Sequence, residues 1–393
     1  MDIQLSEKQQ SAQDEFRDFV DRKIMPFAND HDKQETMPAT LIQEVADKGY
    51  LGGLVPEQYG GNGMDSVTWG LLCEEIGRGS ASLMSLFTVH SMVIQAILKW
   101  GDESSRERWL PRLATGEIIG GFALTEPNVG SDATAIETNA TLDEGQWCVN
   151  GQKCWISFGQ VASLFLVFAQ TEGKSIALLV ERECDGFSSE PISGMLGFRS
   201  AMLANIKFDH CKIPESNLLG RPGFGFSHVG GTALDQGRYS IAWGCLGLAQ
   251  GGLNASLAYA GKRKQFGVYL NEHQLIQALL TDMITQAQAT RMLCYRAAAL
   301  KEQADPSVIM ETAMAKYFAS QAAVKISTDA IQIHGANGCS DKYPVQRYLR
   351  DSKIMEIIEG SNQMQQIMIA KHGYQSHVMN ERRQAERAKR ETK

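Results

Sequence analysis

The amino-acid sequence predicts an α+β protein in which a β-rich block lies between two helical blocks. Apolar residues recur at helical spacing up to about residue 120, strands and turns alternate from there to about residue 231, and long apolar helices follow. Because strands and helices do not alternate along the chain, this order argues against a doubly wound α/β domain. No glycine run follows a strand in the manner of a dinucleotide-binding fingerprint.

Residues 1–120 are predicted to form an N-terminal helical domain. Ser6 is a suitable N-cap and Gln9 lies three residues further on, which is the spacing of a capping box. Phe16 and Phe19 then follow at helical intervals. A Gly- and Pro-rich loop precedes two further helical stretches, SVTWGLLCEEIGRG and SLFTVHSMVIQAILKWG.

Residues 121–231 are predicted to form the β domain. Its first part alternates apolar and polar residues and contains the turn dipeptides Glu144-Gly145 and Asn150-Gly151. The stretch SLFLVFAQTEGKSIALLVERE is typical of two strands joined by a Glu-Gly turn. The stretch NIKFDHCKIPESNLLG is typical of a strand followed by a loop.

Residues 232–378 are predicted to form a C-terminal domain of long helices, and residues 379–393 form a charged tail, MNERRQAERAKRETK. A solvated end of the last helix is the simpler interpretation of this tail. A functional arm is the alternative.

Composition and charge exclude several classes of protein. With 43% hydrophobic and 21% charged residues the chain is typical of a globular protein, and its net charge of −7 gives no sign of nucleic-acid binding. The N-terminus is polar and lacks a secretory signal, and no apolar run approaches the roughly 20 residues that span a bilayer, so we expect a soluble cytoplasmic protein without a membrane partner. Eight cysteines without a CxxC pair predict scattered thiols, with no metal site and no disulfide framework.

Two stretches near the start of the β domain are suited to binding a cofactor. FALTEPNVGSDA offers the hydroxyls of Thr125 and Ser131 and, at Gly130, a main chain that is free to approach a ligand. A capped turn would explain the same residues. In KCWISFG, Trp155 alternates with polar neighbours on a predicted strand, where a core residue is the alternative to a cofactor wall.

A third stretch, YAGKRKQFG, places Arg263 and Gln265 beside Phe266 near the end of an apolar helix. A guanidinium is planar and always charged, and it therefore suits a pyrophosphate group. A surface arginine stabilised by the C-terminus of the helix is the alternative.

A fourth stretch, IMEIIEGSNQ, contains two carboxylates in an apolar context. Burying a charge is costly unless the charge is paired or used. Gly360 breaks the helix directly after Glu359, whereas Glu356 lies on the continuous helix, where a side chain turns outward or finds an ion-pair partner. We therefore predict a structural role for Glu356 and a chemical role for Glu359.

Together the four stretches resemble the acyl-CoA dehydrogenase family of flavoproteins, in order and in spacing, from about residue 5 to residue 373. The resemblance implies an N-terminal α-helical domain, a middle β-barrel domain and a C-terminal four-helix bundle. It also implies FAD, held between the middle and C-terminal domains. A homo-oligomer is implied as well, a dimer or a tetramer, in which a neighbouring subunit contacts the flavin.

The resemblance further implies roles for individual residues. The implied flavin contacts are Phe122, Leu124, Thr125, Gly130, Ser131, Trp155, Ile156, Ser157, Arg263, Gln265, Phe266, His273, Gln274, Gln332, Gly335, Ala336, Ser361 and Gln363. Gln332 and Gly335 among them match a segment that reaches FAD across a subunit interface. The implied substrate contacts are Ser131, Asp235, Arg238, Trp243, Ile358 and Gly360.

The catalytic base of the family's Y-E-G-T motif falls on Glu359. In the mechanism that the resemblance implies, this carboxylate removes the α-proton of an acyl thioester while the β-hydrogen leaves as hydride to flavin N5. A ribityl hydroxyl of the flavin and the main-chain N–H of Glu359 would stabilise the developing enolate.

Two departures from the family's pattern bear on the substrate. Ile358 replaces the aromatic residue before the base, and Trp243 replaces a small residue, which predicts a shortened acyl pocket. With the stretch SLFTVHSMV, these residues resemble the branch of the family that oxidises short acyl groups on an acyl carrier protein in polyketide and nonribosomal-peptide pathways, for example toward hydroxymalonyl or aminomalonyl units.

Several alternatives stay open from the sequence. The acyl carrier is coenzyme A or an acyl carrier protein. The electron acceptor is a protein like electron-transfer flavoprotein or, in an oxidase or monooxygenase on the same fold, oxygen. A binding module that has lost turnover is a further class, against which Glu359, Arg263 and Thr125 argue.

Overall fold

The computed structural model describes residues 4–391 and has the three blocks in the predicted order. The N-terminal block consists of the α-helices Glu7–Phe19 (α1), Ala28–Gln34 (α2), Ala39–Asp47 (α3), Ser66–Gly79 (α4), Ala81–Trp100 (α5) and Glu103–Ala114 (α6). A π-helical turn, Val20–Ile24, continues α1.

The predicted start of the first helix is confirmed. The main-chain N–H of Gln9 donates to Ser6 Oγ (3.2 Å) and the main-chain N–H of Ser6 donates to Gln9 Oε1 (3.1 Å), which completes a capping box. Asp65 and Ser80 cap α4 and α5, each by accepting a hydrogen bond from the main-chain N–H three residues further on.

Helix α5 is the most apolar helix of the N-terminal block. It has the length and composition of a membrane span, so the prediction that no apolar run is long enough is wrong for this helix, but 89% of its most apolar window is buried within the fold. The buried imidazole of His90 ties it to the sheet, because Nδ1 accepts from the main-chain N–H of Gly120 (3.0 Å) and Nε2 lies 3.1 Å from Leu113 O. Burial lowers the pKa of His90 to about 4.

The strands of the middle block form one seven-stranded sheet. They are Gly120–Ala123 (β1), Asn139–Asp143 (β2), Gln146–Ile156 (β3), Leu164–Thr171 (β4), Lys174–Glu181 (β5), Phe187–Pro191 (β6) and Ala204–Pro214 (β7). β4 pairs with β5 on one side and with β1 and the start of β2 on the other, and the order continues through β3 and β7 to β6. The predicted barrel is therefore a curled sheet, in which β5 and β6 each pair with one strand among the described residues.

Strand β4 lies between two apolar cores. Phe165, Val167 and Ala169 belong to the core that the sheet shares with α4 and α7–α9, whereas Leu164 and Leu166 belong to the core beneath α5 and α6. Burial on both faces explains why this strand reads as a continuous apolar run rather than an alternating one.

The C-terminal block consists of long helices. They are Gly231–Ala260 (α7), Gln274–Glu302 (α8), Val308–His334 (α9), Val345–Met355 (α10) and Asn362–Glu391 (α11). Between α7 and α8 the chain forms a short hairpin of Lys264–Gln265 (β8) and Val268–Tyr269 (β9), and a π-helical turn, Gly225–Gly230, precedes α7. Helix α7 packs against α4 and α5 as well as α8, α9 and α10, and so joins the two helical blocks.

The charged tail continues the last helix. Helix α11 extends to Glu391, and residues 379–384 on it are exposed, as expected of a solvated helix end. Residues 392–393 of the predicted tail lie outside the described residues.

Candidate active site

A cavity of about 900 Å³ lies where the three blocks meet. Its walls come from α5, β1 and the loop that follows it, the end of β3, the loop before β7, the start of α7 and the connection between α10 and α11. The predicted site residues that line it are Phe122, Leu124, Thr125, Gly130, Ser131, Trp155, Ile156, Ser157, Arg238, Ile358, Glu359, Gly360 and Ser361. Its size is at the upper end of the range for small-molecule pockets.

The loop after β1 forms one wall of the cavity. Main-chain hydrogen bonds run in both directions between Glu126 and Val129 (2.9 and 3.2 Å), so residues 126–129 form a tight turn. The turn brings Thr125, which precedes it, and Ser131, which follows it, to the same cavity.

A buried ion pair joins this loop to strand β3. Lys153 Nζ donates to Glu126 Oε1 (2.7 Å) and to the main-chain oxygen of Leu124 (3.1 Å), and both charged side chains are almost completely buried. The main-chain N–H of Cys154 donates to the oxygen of Thr125 (2.9 Å). The strand therefore holds the loop on both sides of Thr125. Burial lowers the pKa of Lys153 to about 8, against the opposing effect of the Glu126 carboxylate.

The end of strand β3 carries Trp155 to the cavity. The register between β3 and β7 shifts between Lys153 and Ile156, and Trp155 has a φ of +61°. This left-handed conformation is unfavourable for a residue with a side chain, and such residues concentrate at functional sites. Trp155 is 55% exposed, so the alternative that it is a core residue is excluded.

The connection between α10 and α11 forms another wall and separates the two glutamates of the IMEIIEGSNQ stretch. Glu356 lies at the end of α10 and forms an ion pair with Lys353 (2.6 Å), the kind of partner that was predicted for it. Glu359 has a φ of +55° and Gly360 a φ of +80°, so the chain turns sharply here, and both residues line the cavity.

Burial sets the acid–base state of Glu359. It raises the pKa of this carboxyl to about 7, and the charges of Arg238 and Lys316 partly oppose the shift. Glu359 Oε2 is buried and has no hydrogen-bond partner among residues 4–391. A carboxylate with a pKa near 7 and an unoccupied oxygen at a cavity is suited to accept a proton at neutral pH.

Two residues of α7 lie beside this carboxylate. A Cβ atom at Gly237 would lie 2.2 Å from Glu359 Oε2, so the absence of a side chain there makes room for the carboxylate. Arg238 lines the cavity, and its buried Nε has no hydrogen-bond partner within the described range. Burial lowers the pKa of Arg238, whereas the carboxylates of Glu359 and Asp235 raise it.

The cavity residues fit a flavin ring. Trp155 offers an aromatic face, and the hydroxyls of Thr125, Ser131 and Ser157 line the cavity without a hydrogen bond to any other described residue. Apolar walls with a few unpaired polar groups suit a flat ring that has polar edges.

The structure does not bring two predicted substrate contacts to the cavity. Trp243 is completely buried in α7, where its ring packs against Gly70 and lies 5.4 Å from the ring of Tyr295. The prediction that Trp243 shortens the acyl pocket is therefore wrong, because the helix turns this position toward α4 and α8 and away from the cavity. Asp235 likewise does not line the cavity, and its carboxylate lies 3.4 Å from Lys301 Nζ.

Nine predicted flavin contacts also lie away from the cavity of their own chain. They are Arg263, Gln265, Phe266, His273, Gln274, Gln332, Gly335, Ala336 and Gln363. Arg263 directly precedes the β8–β9 hairpin, and the next four lie in it or follow it; Phe266 is 96% exposed. A single chain therefore does not assemble these residues with Thr125 and Trp155.

Many residues that line the cavity were not predicted as site residues from the sequence. They are Ser85, Thr88, Val89, Asp132, Ala133, Thr134, Met195, Phe198, Leu203, Phe226, Ser227, Gly231, Leu234, Ile354, Ile357, Met364 and Met368. The small hydroxyl residues within the apolar helix α5 were the available signal for its part of the wall. The hydroxyl of Thr88 donates to Met84 O (3.1 Å), which is the ordinary way for a helix to satisfy such a residue, so the signal is weak.

Models of all three domains of the acyl-CoA dehydrogenase family match the chain. The N-terminal domain matches residues 6–117, the middle domain residues 121–211 and the C-terminal domain residues 223–374. An acyl-CoA dehydrogenase of Bacillus subtilis is 40% identical over 362 residues, which cover 91% of this chain and 95% of the relative. The mitochondrial short-chain specific acyl-CoA dehydrogenase of Rattus norvegicus is 39% identical over 376 residues, which cover 94% of this chain and 91% of the relative.

Solved structures share the whole architecture. Butyryl-CoA dehydrogenase from Megasphaera elsdenii has a TM-score of 0.92 at 33% identity, over 95% of this chain and 99% of that one. The prolyl acyl carrier protein oxidase AnaB has a TM-score of 0.90 at 26% identity, over 94% and 99% of the two chains. FkbI, described for the biosynthesis of a methoxymalonyl extender unit, has a TM-score of 0.85 at 28% identity, over 92% and 99%. The predicted fold class is thus confirmed.

Proposed function

This chain belongs to the acyl-CoA dehydrogenase family of FAD-dependent oxidoreductases, and we propose that it oxidises a short acyl thioester with Glu359 as the catalytic base. The central support is the unpartnered, buried carboxylate oxygen of Glu359 at the cavity. No ion pair or side-chain hydrogen bond among residues 4–391 explains why this carboxylate is placed here. Its pKa near 7 suits proton abstraction at neutral pH.

The chain's own residues can carry the proton transfer. Glu359 accepts the α-proton of the thioester, and the enolate that develops needs hydrogen-bond donors at the thioester oxygen. The main-chain N–H of Glu359 has no acceptor among residues 4–391 and is therefore available for this purpose. The neighbouring cation of Arg238 favours the ionised form of the base before the reaction.

Thr125, Ser131, Trp155 and Ser157 are the residues of this chain that would hold the flavin ring at the cavity. FAD, when bound, supplies the acceptor for the second hydrogen and its electron pair. The protein's contribution is to fix the ring against the substrate, and the turn at residues 126–129 and the buried Lys153 hold the wall that does so.

A short alkyl chain is the acyl group that we propose. The relative from Rattus norvegicus is named short-chain specific, and the neighbour from Megasphaera elsdenii is a butyryl-CoA dehydrogenase. Val89, Ile358 and Met364 provide apolar surface at the cavity, which favours an alkyl chain and excludes water from the base. Of the two departures from the family's pattern, Ile358 lines the cavity and supports a small substrate. Trp243 does not line the cavity and gives no such support.

Substitution of the two glutamates tests the proposal. We expect Glu359→Gln to slow the anaerobic bleaching of bound flavin by a short acyl-CoA by about a thousandfold, the scale of a lost general base. Glu356→Gln is the matched control, because it removes a carboxylate three residues away that pairs with Lys353, and it should bleach at the wild-type rate. Full activity of Glu359→Gln would overturn the role of Glu359.

A dehydrogenase or oxidase of carrier-protein-bound acyl groups is the second candidate. The likeness to AnaB, a prolyl acyl carrier protein oxidase, and to FkbI, described for a methoxymalonyl extender unit, supports it. A hydroxymalonyl or aminomalonyl unit is the product that we propose for one version of this candidate. The higher identity to acyl-CoA dehydrogenases supports coenzyme A as the carrier, with a protein like electron-transfer flavoprotein as the acceptor.

Anaerobic titration with matched short acyl-CoA and acyl-carrier-protein thioesters separates the two candidates. Bleaching by the coenzyme A thioester alone supports the first candidate, and bleaching by the carrier-protein thioester alone supports the second. Rapid peroxide formation in air without an added electron-transfer protein would identify oxygen as the acceptor.

Assembly into a homo-oligomer is the further part of the proposal, with a tetramer or a dimer as its form. Arg263 and Phe266 are exposed on the β8–β9 hairpin, and Leu275 just beyond it is 83% exposed. A neighbouring subunit that covers these residues would bring the predicted flavin contacts to a second cavity. Light scattering gives the mass, and we expect Arg263→Ala to lose FAD on gel filtration; full retention of FAD would contradict this arrangement.

A further inference from the structure

Lys316 is a buried cation that holds the turn carrying the proposed base. It lies on α9 with 0% of its surface exposed. Its Nζ donates to the main-chain oxygen of Gly360 (3.0 Å) and to Asn362 Oδ1 (3.2 Å). No carboxylate of residues 4–391 forms an ion pair with it.

A buried ammonium group without a carboxylate partner lowers the stability of the fold. Transfer of a charge from water into a protein interior carries a large desolvation cost, which a carboxylate partner normally offsets. Neutral side chains already connect the same elements, since Ser320 on α9 donates to Asn362 Oδ1 (3.0 Å). The charge of Lys316 therefore calls for an explanation other than the attachment of α9 to α11.

Asn362 and Gln365 also support the turn that Lys316 binds. The main-chain N–H of Asn362 donates to the main-chain oxygen of Glu356 (2.9 Å). Gln365 Nε2 donates to the main-chain oxygens of Glu359 (3.3 Å) and Gly360 (3.1 Å). Both turn residues have left-handed φ values, and for Glu359 this conformation is strained. Donors from α9 and α11 thus hold the carbonyl groups on either side of the strained peptide.

We propose that Lys316 is a positioning residue for Glu359, which holds the main chain of the turn so that the carboxylate faces the cavity and which places a positive charge behind it at neutral pH. This inference rests on the proposed role of Glu359. It adds a residue that is not among those lining the cavity.

The charges around the base determine the sign of the expected effect. The ionisable groups around Lys316 and Glu359 are Arg238 and Cys245 on α7 and Glu356 at the end of α10. Burial raises the pKa of Glu359, and Arg238 and then Lys316 lower it. Loss of the Lys316 charge therefore raises the pKa of Glu359 further, so that less of the base is ionised at neutral pH.

Lys316→Met tests this role, with Ser320→Ala as the matched control on the same helix. We expect the rate of flavin bleaching by a short acyl thioester to rise with pH in both, with the midpoint in Lys316→Met displaced upward by about one pH unit. Below that midpoint the variant should be about tenfold slower than the wild type and should recover at alkaline pH. The effect should fall on kcat, with KM and FAD content near the wild-type values, whereas Ser320→Ala should keep the wild-type profile.

Lys316→Gln separates the charge from the hydrogen bond and serves where Lys316→Met does not fold. It keeps a donor for Gly360 but no charge, so we expect the same displacement of the profile with a smaller loss of melting temperature. An unchanged midpoint in folded, FAD-loaded Lys316→Gln would overturn the proposal and leave Lys316 as a structural residue.

A substrate-free measurement keeps this result distinct from the proposed function. The pH-dependent absorption of bound flavin, taken as wild type minus Glu359→Gln, reports the ionisation of Glu359 without turnover. A midpoint that moves upward in Lys316→Gln supports the positioning role even where no acyl thioester bleaches the flavin. Absence of bleaching in the wild type with every thioester would count against the proposed function alone.

Discussion

Two buried lysines lie behind two different walls of the cavity, and they differ in how their charge is balanced. Lys153 lies behind the loop after β1, which is proposed to hold the flavin, and Lys316 lies behind the turn of the proposed base Glu359. Both are 0% exposed, and burial lowers the pKa of each to about 8. Lys153 has the carboxylate of Glu126 at 2.7 Å, whereas the partners of Lys316 within the described part of the chain are the uncharged oxygens of Gly360 and Asn362.

The carboxylates near the two lysines, Glu126 and Glu359, have pKa values that are shifted in opposite directions. Burial alone would raise the pKa of Glu126, but hydrogen bonds from Lys153 and Thr138 outweigh it and the pKa is lowered, so this carboxylate stays ionised and unreactive. Near Lys316 the same competition ends with the pKa of Glu359 raised to about 7. Glu126 is thus held ionised by its lysine partner, whereas Glu359, which has no ion pair among residues 4–391, can exchange its proton near neutral pH.

Removal of the ion pair between Glu126 and Lys153 is the change that we expect to affect stability most. Glu126→Gln leaves Lys153 buried without a countercharge, and we expect the free energy of unfolding to fall by about 3 kcal/mol. Urea denaturation measures this loss. Glu137→Gln is the control, because the Glu137 carboxylate is exposed and, among residues 4–391, accepts from Asn128 alone at 3.3–3.4 Å. Equal losses in the two variants would contradict the comparison.

Filling the space beside the unpaired carboxylate should affect rate more than stability. Gly237→Ala places a Cβ where Glu359 Oε2 lies 2.2 Å away, so the carboxylate must move. A displacement on this scale is expected to lower kcat by about a hundredfold. Gly373→Ala on α11 meets nothing within 4 Å and should leave kcat unchanged, and a Gly237→Ala enzyme of normal kcat would show that the base tolerates displacement.

The bleaching rate and the stability of the protein should depend on pH through the ionisation of Glu359. With Glu359 as the proposed base, bleaching should rise with pH through about 7 and fall about tenfold for each pH unit below it. Its contribution to stability has the opposite sign: because its folded pKa lies above the unfolded value of 4.5, that contribution is present below pH 4.5 and is lost as the pH rises through about 7. Stopped-flow bleaching and thermal melts over the same pH range test both signs, and a rate independent of pH between 5 and 8 would contradict the assignment.

Removing the surface ion pair should have the smallest effect. In this pair Lys353 is 53% exposed and Glu356 is 20% exposed, and ion pairs at this helical spacing contribute about 0.5 kcal/mol or less. We expect the unfolding free energy of Glu356→Gln to lie within about 0.5 kcal/mol of wild type. A loss of several kcal/mol would mean that Glu356 is more than a surface partner.

Local rules predicted the parts of the site that lie close together in the chain. The predicted irregular main chain at Glu359 and Gly360 is confirmed by their left-handed φ values, but α10 already ends at Met355, so the prediction that Glu356 lies on the continuous helix is wrong and this residue is the C-cap. Thr125, Ser131 and Trp155 line the cavity. Each of these features follows from one turn or strand end, so neighbouring residues carry the information.

Residues that depend on helix orientation or on another subunit were not predictable in the same way. Trp243 and Arg238 lie five residues apart on α7 and face different neighbours, which an apolar helix buried on most sides does not reveal in its periodicity. Lys316 was missed for a related reason, because its partners are main-chain and amide oxygens that lie 44 and 46 residues further along the chain.

The apolar helix α5 has a consequence for the folding of the chain during its synthesis on the ribosome. Its main helical partner α7 begins about 130 residues after α5 ends, so at 5–20 residues per second it emerges on the order of ten seconds later. During that interval a helix with the apolar length of a membrane span has no α7 to cover it. A nascent chain of this kind is a natural client for ribosome-bound chaperones, and its solubility during synthesis depends on how quickly the second half of the chain arrives.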